Sequence, residues 1–363
     1  MAYKDFTWEK EDFNEYLLHD DSDFYSIWTV NLSIETDMHA VALIHALRPE
    51  AYCMLIGRVV NNKPHSLLRN LDELPFPARH LLGERVYHNP KIKVTPYTPV
   101  VTSRQCPFKC IYCVPSSLGR KPPVSFRSVE NVEKELEQLA AQGYRSIGFM
   151  DDNFIWNEKR TKALCEVLRK YDFRWGCQAR VDAITEPIAR MLGESKCDYV
   201  DLGVESFNDE ILKYIKKDIT REQIYNAVGL LKKYKVPVKL NILIGTSPLE
   251  TKESLRDTLR QARKIGADQI MFNIVSPFPG TEFYNLAKEN GWIVTGDYVP
   301  TDVQRSSIVS FPNLSNRDME KILFRANLRY FLSPSFVWKQ LRRFHDLNEF
   351  FCALKALRIK LFG

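Results

Sequence analysis

The sequence predicts an α/β fold built on a parallel sheet of six strands. From Pro96 onward, short runs of β-branched or aromatic residues alternate with longer helical patterns, which is typical of βαβ units. The chain has 363 residues, of which 45% are hydrophobic and 26% charged, so it can bury a large core and is not of a disordered or disulfide-stabilised class. Six candidate strands follow: Pro99–Ser103, Ser146–Met150, Arg174–Ala179, Tyr199–Val204, Pro237–Ile244 and Gln269–Val275.

A helix candidate follows each strand, and two of these helices have clear start signals. Ser128 precedes apolar residues at helical spacing, and Gly143 fits the end of the same helix. Thr220 and Gln223 have capping-box spacing ahead of another helix. These signals predict helices packed against the sheet.

Both ends of the chain differ in pattern from the sheet region. The segment 1–95 contains a candidate strand at Ser26–Leu32, a candidate helix at Asp37–Leu47 and a proline-rich connector. After the barrel-like region at 96–295, the segment 296–363 is predicted to be a C-terminal helical extension. Its last part is rich in Lys, Arg and aromatic residues, and such a segment either covers its own domain or makes peripheral contact with a membrane.

Charge and targeting signals restrict the classes of function. The net charge of +6 is mild for this length and gives no argument for nucleic-acid binding. The N-terminus has no basic start with an apolar core, and no long apolar run follows, so neither secretion nor membrane spanning is predicted. We therefore expect a cytoplasmic protein, in which clustering of the eight cysteines matters more than pairing.

Three cysteines lie close together directly after the first candidate strand. They form the segment Cys106-Pro-Phe-Lys-Cys110-Ile-Tyr-Cys113. Three thiolates can bind three irons of a [4Fe–4S] cluster, and the lack of a fourth cysteine nearby in the sequence leaves one iron open to a ligand. A zinc site or three free thiols are the alternatives, although zinc needs a fourth ligand at short spacing and His88 is separated by a proline-rich stretch.

The spacing of these cysteines around Tyr112 resembles the motif of the radical S-adenosylmethionine (SAM) superfamily. The resemblance implies a partial (β/α)6 barrel in which Cys106, Cys110 and Cys113 are the cluster ligands. It also implies that SAM chelates the open iron, that an electron from the cluster cleaves the sulfonium, and that a 5′-deoxyadenosyl radical abstracts hydrogen from a small organic substrate. A reductant such as flavodoxin or ferredoxin is the implied partner, and no nucleic acid is expected.

Polar residues at the ends of the other strands are the SAM contacts that the resemblance implies. With the aromatic residue of the motif, they are Tyr112, Asp151, Asp152, Arg180, Glu205, Ser206 and Gly245. Structural alternatives remain open for several of them. Asp151 and Asp152 can form a solvated, helix-capping pair, and Arg180 and Glu205 can form a salt bridge with each other. No catalytic residue is assigned.

Three further segments are similar to one branch of the superfamily. They are Leu71-Asp-Glu-Leu-Pro-Phe-Pro-Ala-Arg79, Val204-Glu-Ser-Phe207 and Pro277-Phe-Pro-Gly-Thr-Glu282. That branch usually carries an N-terminal cobalamin-binding domain and includes methyltransferases and other enzymes that act on unactivated carbons of lipids, tetrapyrroles and natural products. About 70 residues precede the first of these segments, fewer than an ordinary domain contains.

From this short N-terminal segment we expect no tight cobalamin binding by the chain alone. The first hypothesis is therefore a cobalamin-independent radical modification of a carbon in specialised or lipid metabolism. A cobalamin-dependent radical SAM C-methyltransferase is the second. An RNA-modifying enzyme needs a basic recognition module that the mild charge does not indicate. A non-catalytic or electron-transfer iron–sulfur protein is the alternative from another class.

Overall fold

The structure, a computed structural model, divides the chain into two compact units. One unit comprises Met1–Leu68 and Phe76–Arg85, and the other comprises Arg69–Pro75 and Val86–Gly363. The described residues are 24–28, 34–47, 49–56, 70–79, 86–117, 124–334 and 336. Within these ranges, no helix combines the length and the apolar character needed to cross a membrane. The expected division at 95/96 and 295/296 stays a prediction.

Among its described residues, the first unit contains a βαβ motif. Strands β1 (Phe24–Trp28) and β2 (Tyr52–Ile56) pair in parallel, and helix α1 (Ile34–Leu47) lies between them in the chain. The expected strand at Ser26–Leu32 overlaps β1, and the expected helix at Asp37–Leu47 begins three residues too late. The sequence analysis missed β2, because a five-residue apolar run has no periodicity that distinguishes a strand from a helix.

The second unit contains a six-stranded parallel sheet, as predicted. The described strands of this unit are β3 (Tyr97–Val100), β4 (Ser103–Arg104), β5 (Ser125–Phe126), β6 (Ser146–Phe149), β7 (Arg174–Arg180), β8 (Cys197–Glu205), β9 (Val238–Ile244) and β10 (Gln269–Ile274). Strands β4 and β5 form a separate antiparallel pair, and the other six form the sheet. The order in the sheet is β3-β6-β7-β8-β9-β10, so strands that are neighbours in the sheet also follow one another in the chain. Right-handed connections in such an order place the helices on one side and leave the other side as the interior of a partial barrel.

Nine helices lie between and after these strands in the described residues, and the longer ones pack against the sheet. They are α2 (Val114–Ser117), α3 (Val129–Ala141), α4 (Glu158–Lys170), α5 (Glu186–Glu194), α6 (Asp209–Tyr214), α7 (Arg221–Lys233), α8 (Lys252–Lys264), α9 (Glu282–Glu289) and α10 (Asn316–Phe331). The predicted caps are confirmed: Ser128 accepts the backbone N–H of Asn131, and Thr220 and Gln223 form a capping box. Helix α10 belongs to the expected C-terminal extension, whose basic last part lies outside the described residues.

The two faces of the sheet differ in chemistry, and this difference positions the site. In β8, Val200, Leu202 and Val204 are buried in the apolar core shared with the helices. Side chains alternate along a strand, so Asp201 and Glu205 lie on the opposite, inner face. The sheet therefore carries charge toward the interior of the partial barrel.

Candidate active site

The three clustered cysteines lie on the loop between β4 and α2. Cys110 is buried, Cys106 and Cys113 are half-buried, and all three are free thiols. The backbone N–H of Cys113 donates to the carbonyl of Cys110 at 3.1 Å. The hydroxyl of Ser116 lies 2.6 Å from the carbonyl of Cys110 and 2.7 Å from that of Cys113. The turn that carries the second and third thiols is therefore closed by the chain's own hydrogen bonds.

Ile111 attaches this loop to two distant segments of the second unit. Its N–H donates to the carbonyl of Ile215 at 3.2 Å, and its carbonyl accepts the N–H of Phe283 at 2.9 Å. Its side chain is buried in the core. Because Ile215 follows α6 and Phe283 lies in the first turn of α9, both segments fix the position of the cysteine loop.

Arg180, the last residue of β7, places a buried cation beside Cys110. Its Nη1 lies 3.8 Å from the Sγ of Cys110. The guanidinium binds both carboxylate oxygens of Asp182, at 2.9 and 3.0 Å, and donates to the carbonyl of Lys217 at 2.6 Å. It also lies over the ring of Phe108, 3.7 Å from the ring centroid. These contacts hold the charge in one orientation.

Glu205 and Lys217 form a buried ion pair next to Arg180. The Nζ of Lys217 donates to Oε1 of Glu205 at 2.9 Å, and each side chain is less than a tenth exposed. Glu205 has a φ of 67°, and a Cβ at Gly203 would lie 2.7 Å from the Nζ of Lys217. The ion pair therefore occupies space that is free because residue 203 is a glycine and has no Cβ atom. The alternative of an Arg180–Glu205 salt bridge is wrong, because each residue has a different partner.

Burial and mutual repulsion raise the pKa values of Cys106 and Cys113. Burial raises the pKa of Cys113 to about 12, and the charges of Cys110 and Cys106 add to that effect. Burial also raises the pKa of Cys106. For Lys217, burial alone would lower the pKa, but the Glu205 carboxylate and Cys110 outweigh it, so its pKa is raised. Cys106 and Cys113 are therefore protonated in the metal-free chain at neutral pH, and iron must displace their protons.

Tyr112 connects the cysteine loop to the buried ion pair. Burial raises the pKa of its phenol, and so do the charge of Glu205 and a hydrogen bond with that carboxylate. Its ring packs against the main core. The resemblance implies a contact of Tyr112 with SAM. The side chain that would make this contact is hydrogen-bonded to Glu205 and packed against the core.

Asp151 fixes the chain just before the cysteine loop. Its buried carboxylate accepts the N–H and the hydroxyl of Thr102, at 3.0 and 2.9 Å, and the hydroxyl of Ser103 at 2.5 Å. Burial raises the pKa of Asp151, against the effect of these hydrogen bonds. The alternative of a solvated helix cap is wrong for this residue. Asp152 is half-buried, and its charge contributes to the raised pKa of Cys106.

Ser206 and Gly245 lie in the turns that follow β8 and β9. The hydroxyl of Ser206 accepts the N–H of Asn208 at 3.2 Å and lies 3.3 Å from the hydroxyl of Thr258. Gly245 has a φ of 81°, and its N–H donates to the buried carboxylate of Glu250 at 2.8 Å. Both residues shape turns at strand ends, and their roles toward SAM stay predictions.

Three residues of this region were not identified by the sequence analysis: Asp182, Lys217 and Glu250. Asp182 lies two residues after Arg180, which is a local signal for a pair with that arginine. Glu250 also accepts the N–H and the hydroxyl of Thr246, at 2.9 and 2.6 Å, and it follows the end of β9 closely. Lys217 has no local signal, because its contact with Glu205 spans a turn and helix α6.

The donor set fits a [4Fe–4S] cluster with three protein ligands. Within the described residues, no three metal-binding side chains come close enough to hold a single ion. Each cysteine that holds such a cluster binds a different iron. The three cysteine sulfurs therefore lie farther apart than three ligands of a single metal ion do. The buried thiols of Cys165, Cys177 and Cys197 interact with one another elsewhere in the core.

Comparisons with known proteins agree with this site. The family model of the Radical SAM superfamily matches residues 100–278. The chain is 32% identical over 295 residues to the uncharacterized methyltransferase PH0819 of Pyrococcus horikoshii, covering 80% of this chain and 62% of that protein. It is 28% identical over 204 residues to bacteriochlorophyllide d C-12(1)-methyltransferase of Chlorobaculum tepidum, covering 54% of this chain and 44% of that protein. The chain thus spans less than two thirds of either relative.

Solved structures share the fold. The radical SAM methyltransferase TsrM of Kitasatospora setae, with tryptophan and a SAM analogue bound, matches with a TM-score of 0.60 at 17% identity, covering 78% of this chain and 68% of that one. The cobalamin-dependent SAM radical enzyme OxsB in its apo form matches with a TM-score of 0.57 at 15% identity, covering 88% of this chain and 54% of that one. At these identities, the likeness concerns the fold.

Proposed function

The chain belongs to the radical SAM superfamily, and from that premise we propose that it acts in the methylation of an unactivated carbon of a small organic substrate. The observation that carries the radical SAM part is the loop of three thiols beside the buried cations Arg180 and Lys217. The methyl transfer rests on the two relatives described above, both of which are named methyltransferases. The relatives thus favour the hypothesis that the sequence analysis ranked second.

Cys106, Cys110 and Cys113 would hold a [4Fe–4S] cluster, which when bound supplies the electron for reductive cleavage of SAM. The chain's own residues prepare the place for it. Ile111 and Ser116 fix the loop, and Asp151 fixes the segment that leads into it. Arg180 lies where its charge offsets that of a thiolate at Cys110.

In the branch of the superfamily that the chain resembles, cobalamin usually binds to an N-terminal domain. Among the described residues, the first unit presents two parallel strands and one helix. An α/β domain binds a large cofactor in the crevice where the strand order of a wider sheet reverses. The described residues of this unit do not form such a crevice. The expectation of no tight corrinoid binding by the chain alone stays a prediction.

The products formed from SAM test the proposal. The full chain is reconstituted with iron and sulfide without oxygen, reduced, and supplied with SAM carrying a labelled methyl group and candidate substrates, with and without hydroxocobalamin. Methylation predicts S-adenosylhomocysteine alongside 5′-deoxyadenosine and a labelled product. Release of 5′-deoxyadenosine with substrate consumed but unlabelled would favour a radical modification without methyl transfer. Failure to cleave SAM would contradict both.

A further inference from the structure

A groove of about 330 Å³ lies between α8 and α10 on the outer side of the sheet. Its floor is apolar and includes Leu259, Phe272 and Ile322. Phe272 lies in β10 on the face that packs under the helices. The groove is therefore separated by the sheet from the inner face that carries Asp201 and Glu205.

Six cationic side chains line this groove, in two rows that face each other. They are Lys252, Arg256 and Arg263 on α8, and Lys321, Arg325 and Arg329 on α10. The acidic residue of the lining is Asp318, which pairs with Lys252 at 2.9 Å. Within the described part of the chain, the other five cations form no ion pair with a carboxylate.

The spacing of these cations does not serve the stability of the helices. Lys321, Arg325 and Arg329 follow one another at four-residue intervals, and like charges at this spacing repel. Arg256 and Arg325 are exposed, so packing in the core does not require an arginine at either position. A bound anion would relieve the repulsion within each row and between the two rows.

We propose that this groove is a binding site for a phosphate-bearing anion. Four of its six cations are arginines, whose planar guanidinium groups bind phosphate oxygens through paired hydrogen bonds. The apolar floor gives room for the organic part of a phosphate ester. The same chemistry recognises a free phosphate ester and the headgroup of an anionic lipid, and the two sources are separated by experiment.

Equilibrium binding to the full chain tests the proposal, with inorganic tripolyphosphate as the probe. The variant Arg256→Gln/Lys321→Gln/Arg325→Gln removes three exposed charges without creating a buried cavity. The matched control, Lys134→Gln/Lys162→Gln/Arg190→Gln, removes the same charge from exposed positions on other helices. We expect the first variant to bind about tenfold or more weakly than the unmodified chain, and the control to bind equally well.

Two further arms identify the source of the phosphate. If the chain sediments with phosphatidylglycerol-containing vesicles and tripolyphosphate competes with the vesicles, the ligand is a lipid headgroup. If the chain binds tripolyphosphate but does not sediment with vesicles, the ligand is a free phosphate ester. Three results would overturn the proposal: no binding by the unmodified chain at low salt, equal loss in both variants, or a preference for single-stranded RNA with a steep salt dependence, which would mark a nucleic-acid surface.

Discussion

At the scale of single residues, buried charge distinguishes the candidate site. Arg180 and Lys217 lie beside Cys110, and each already has a carboxylate partner, Asp182 for the first and Glu205 for the second. A charge in the interior costs several kcal/mol unless it is paired. Any contact of Arg180 or Glu205 with SAM must therefore share an existing ion pair.

The Lys217–Glu205 pair predicts a strong, one-sided effect of mutation. Lys217→Met leaves the Glu205 carboxylate buried without its cation, which should lower the free energy of unfolding by about 3 to 5 kcal/mol. Adding Glu205→Gln removes the unpaired charge, so the double variant should recover much of that loss. Urea unfolding of the cluster-free proteins measures both values. Equal destabilisation in the single and double variants would contradict a pair of this kind.

The cysteines predict a clear division between ligand and structural thiols. Cys110→Ala should abolish assembly of the cluster, because one iron loses its protein ligand. Cys165→Ala replaces a thiol that is also buried but lies with Cys177 and Cys197 elsewhere in the core, so it should retain the cluster. Iron and sulfide content with the visible absorption spectrum after anaerobic reconstitution provides the measurement. A normal cluster in Cys110→Ala would exclude the assignment.

At the scale of elements, the sequence predicted all six strands of the sheet, and the differences lie at the strand ends. The first strand was expected at Pro99–Ser103 but ends at Val100. The carboxylate of Asp151 takes the N–H of Thr102, so the chain leaves the sheet there. Strand β8 was expected to end at Val204 but continues to Glu205, and its pairing register with β9 shifts between Gly203 and Glu205. Neither the hydrogen bond between Thr102 and Asp151 nor the register shift in β8 is indicated by a pattern in the sequence.

The contact between α7 and α8 predicts how stability depends on acid. Asp257 accepts hydrogen bonds from Arg260 and Gln261, at 2.5 and 3.0 Å, and from Arg221 at the start of α7. The bond from Arg260 is the main cause of the lowering of its pKa from 3.8 to about 2. Because the folded pKa is below the unfolded one, this stabilisation is present at neutral pH and is lost as the pH falls from about 4 to 2.

Asp257→Asn should therefore lower the free energy of unfolding by about 1 kcal/mol at pH 7, since the carboxylate is partly exposed and screened by solvent. The difference from the unmodified chain should shrink toward zero near pH 2. Urea unfolding across this pH range is the measurement, with Glu137→Gln on the exposed side of α3 as the control. A difference that stays constant with pH would assign the effect to packing.

At the scale of the whole molecule, the limits of sequence-based prediction follow from the distance over which contacts form. The cluster cysteines were found because their spacing is local. Lys91 and Lys239 both bind Asp201, at 2.5 and 3.3 Å, and these residues are far apart in the chain. Such pairs, like Lys217 with Glu205, depend on the folded sheet. The cysteines, Arg180 and Glu205 were therefore predictable from the sequence, but the ion-pair partners Asp182 and Lys217 were not.

Assembly of the cluster is expected to stabilise the second unit as a whole. The cysteine loop is tied through Ile111 to Ile215 and Phe283, in segments that follow different strands of the sheet. A group that binds the folded loop and not the unfolded chain stabilises everything to which the loop is attached. Assembly of the cluster should therefore raise the temperature of thermal unfolding, at about 2 to 4 °C for each kcal/mol in a domain of this size.

We expect the reconstituted chain to unfold at least about 5 °C above the cluster-free chain when both are heated without oxygen. Controlled exposure to oxygen should remove this difference as the cluster absorbance falls. Cys110→Ala, treated in the same way with iron and sulfide, should show no shift, because it cannot anchor the group. A shift of equal size in that variant would mean that iron binds elsewhere. No shift in the unmodified chain, despite full cluster absorbance, would mean that the loop is not coupled through Ile111 to the rest of the sheet.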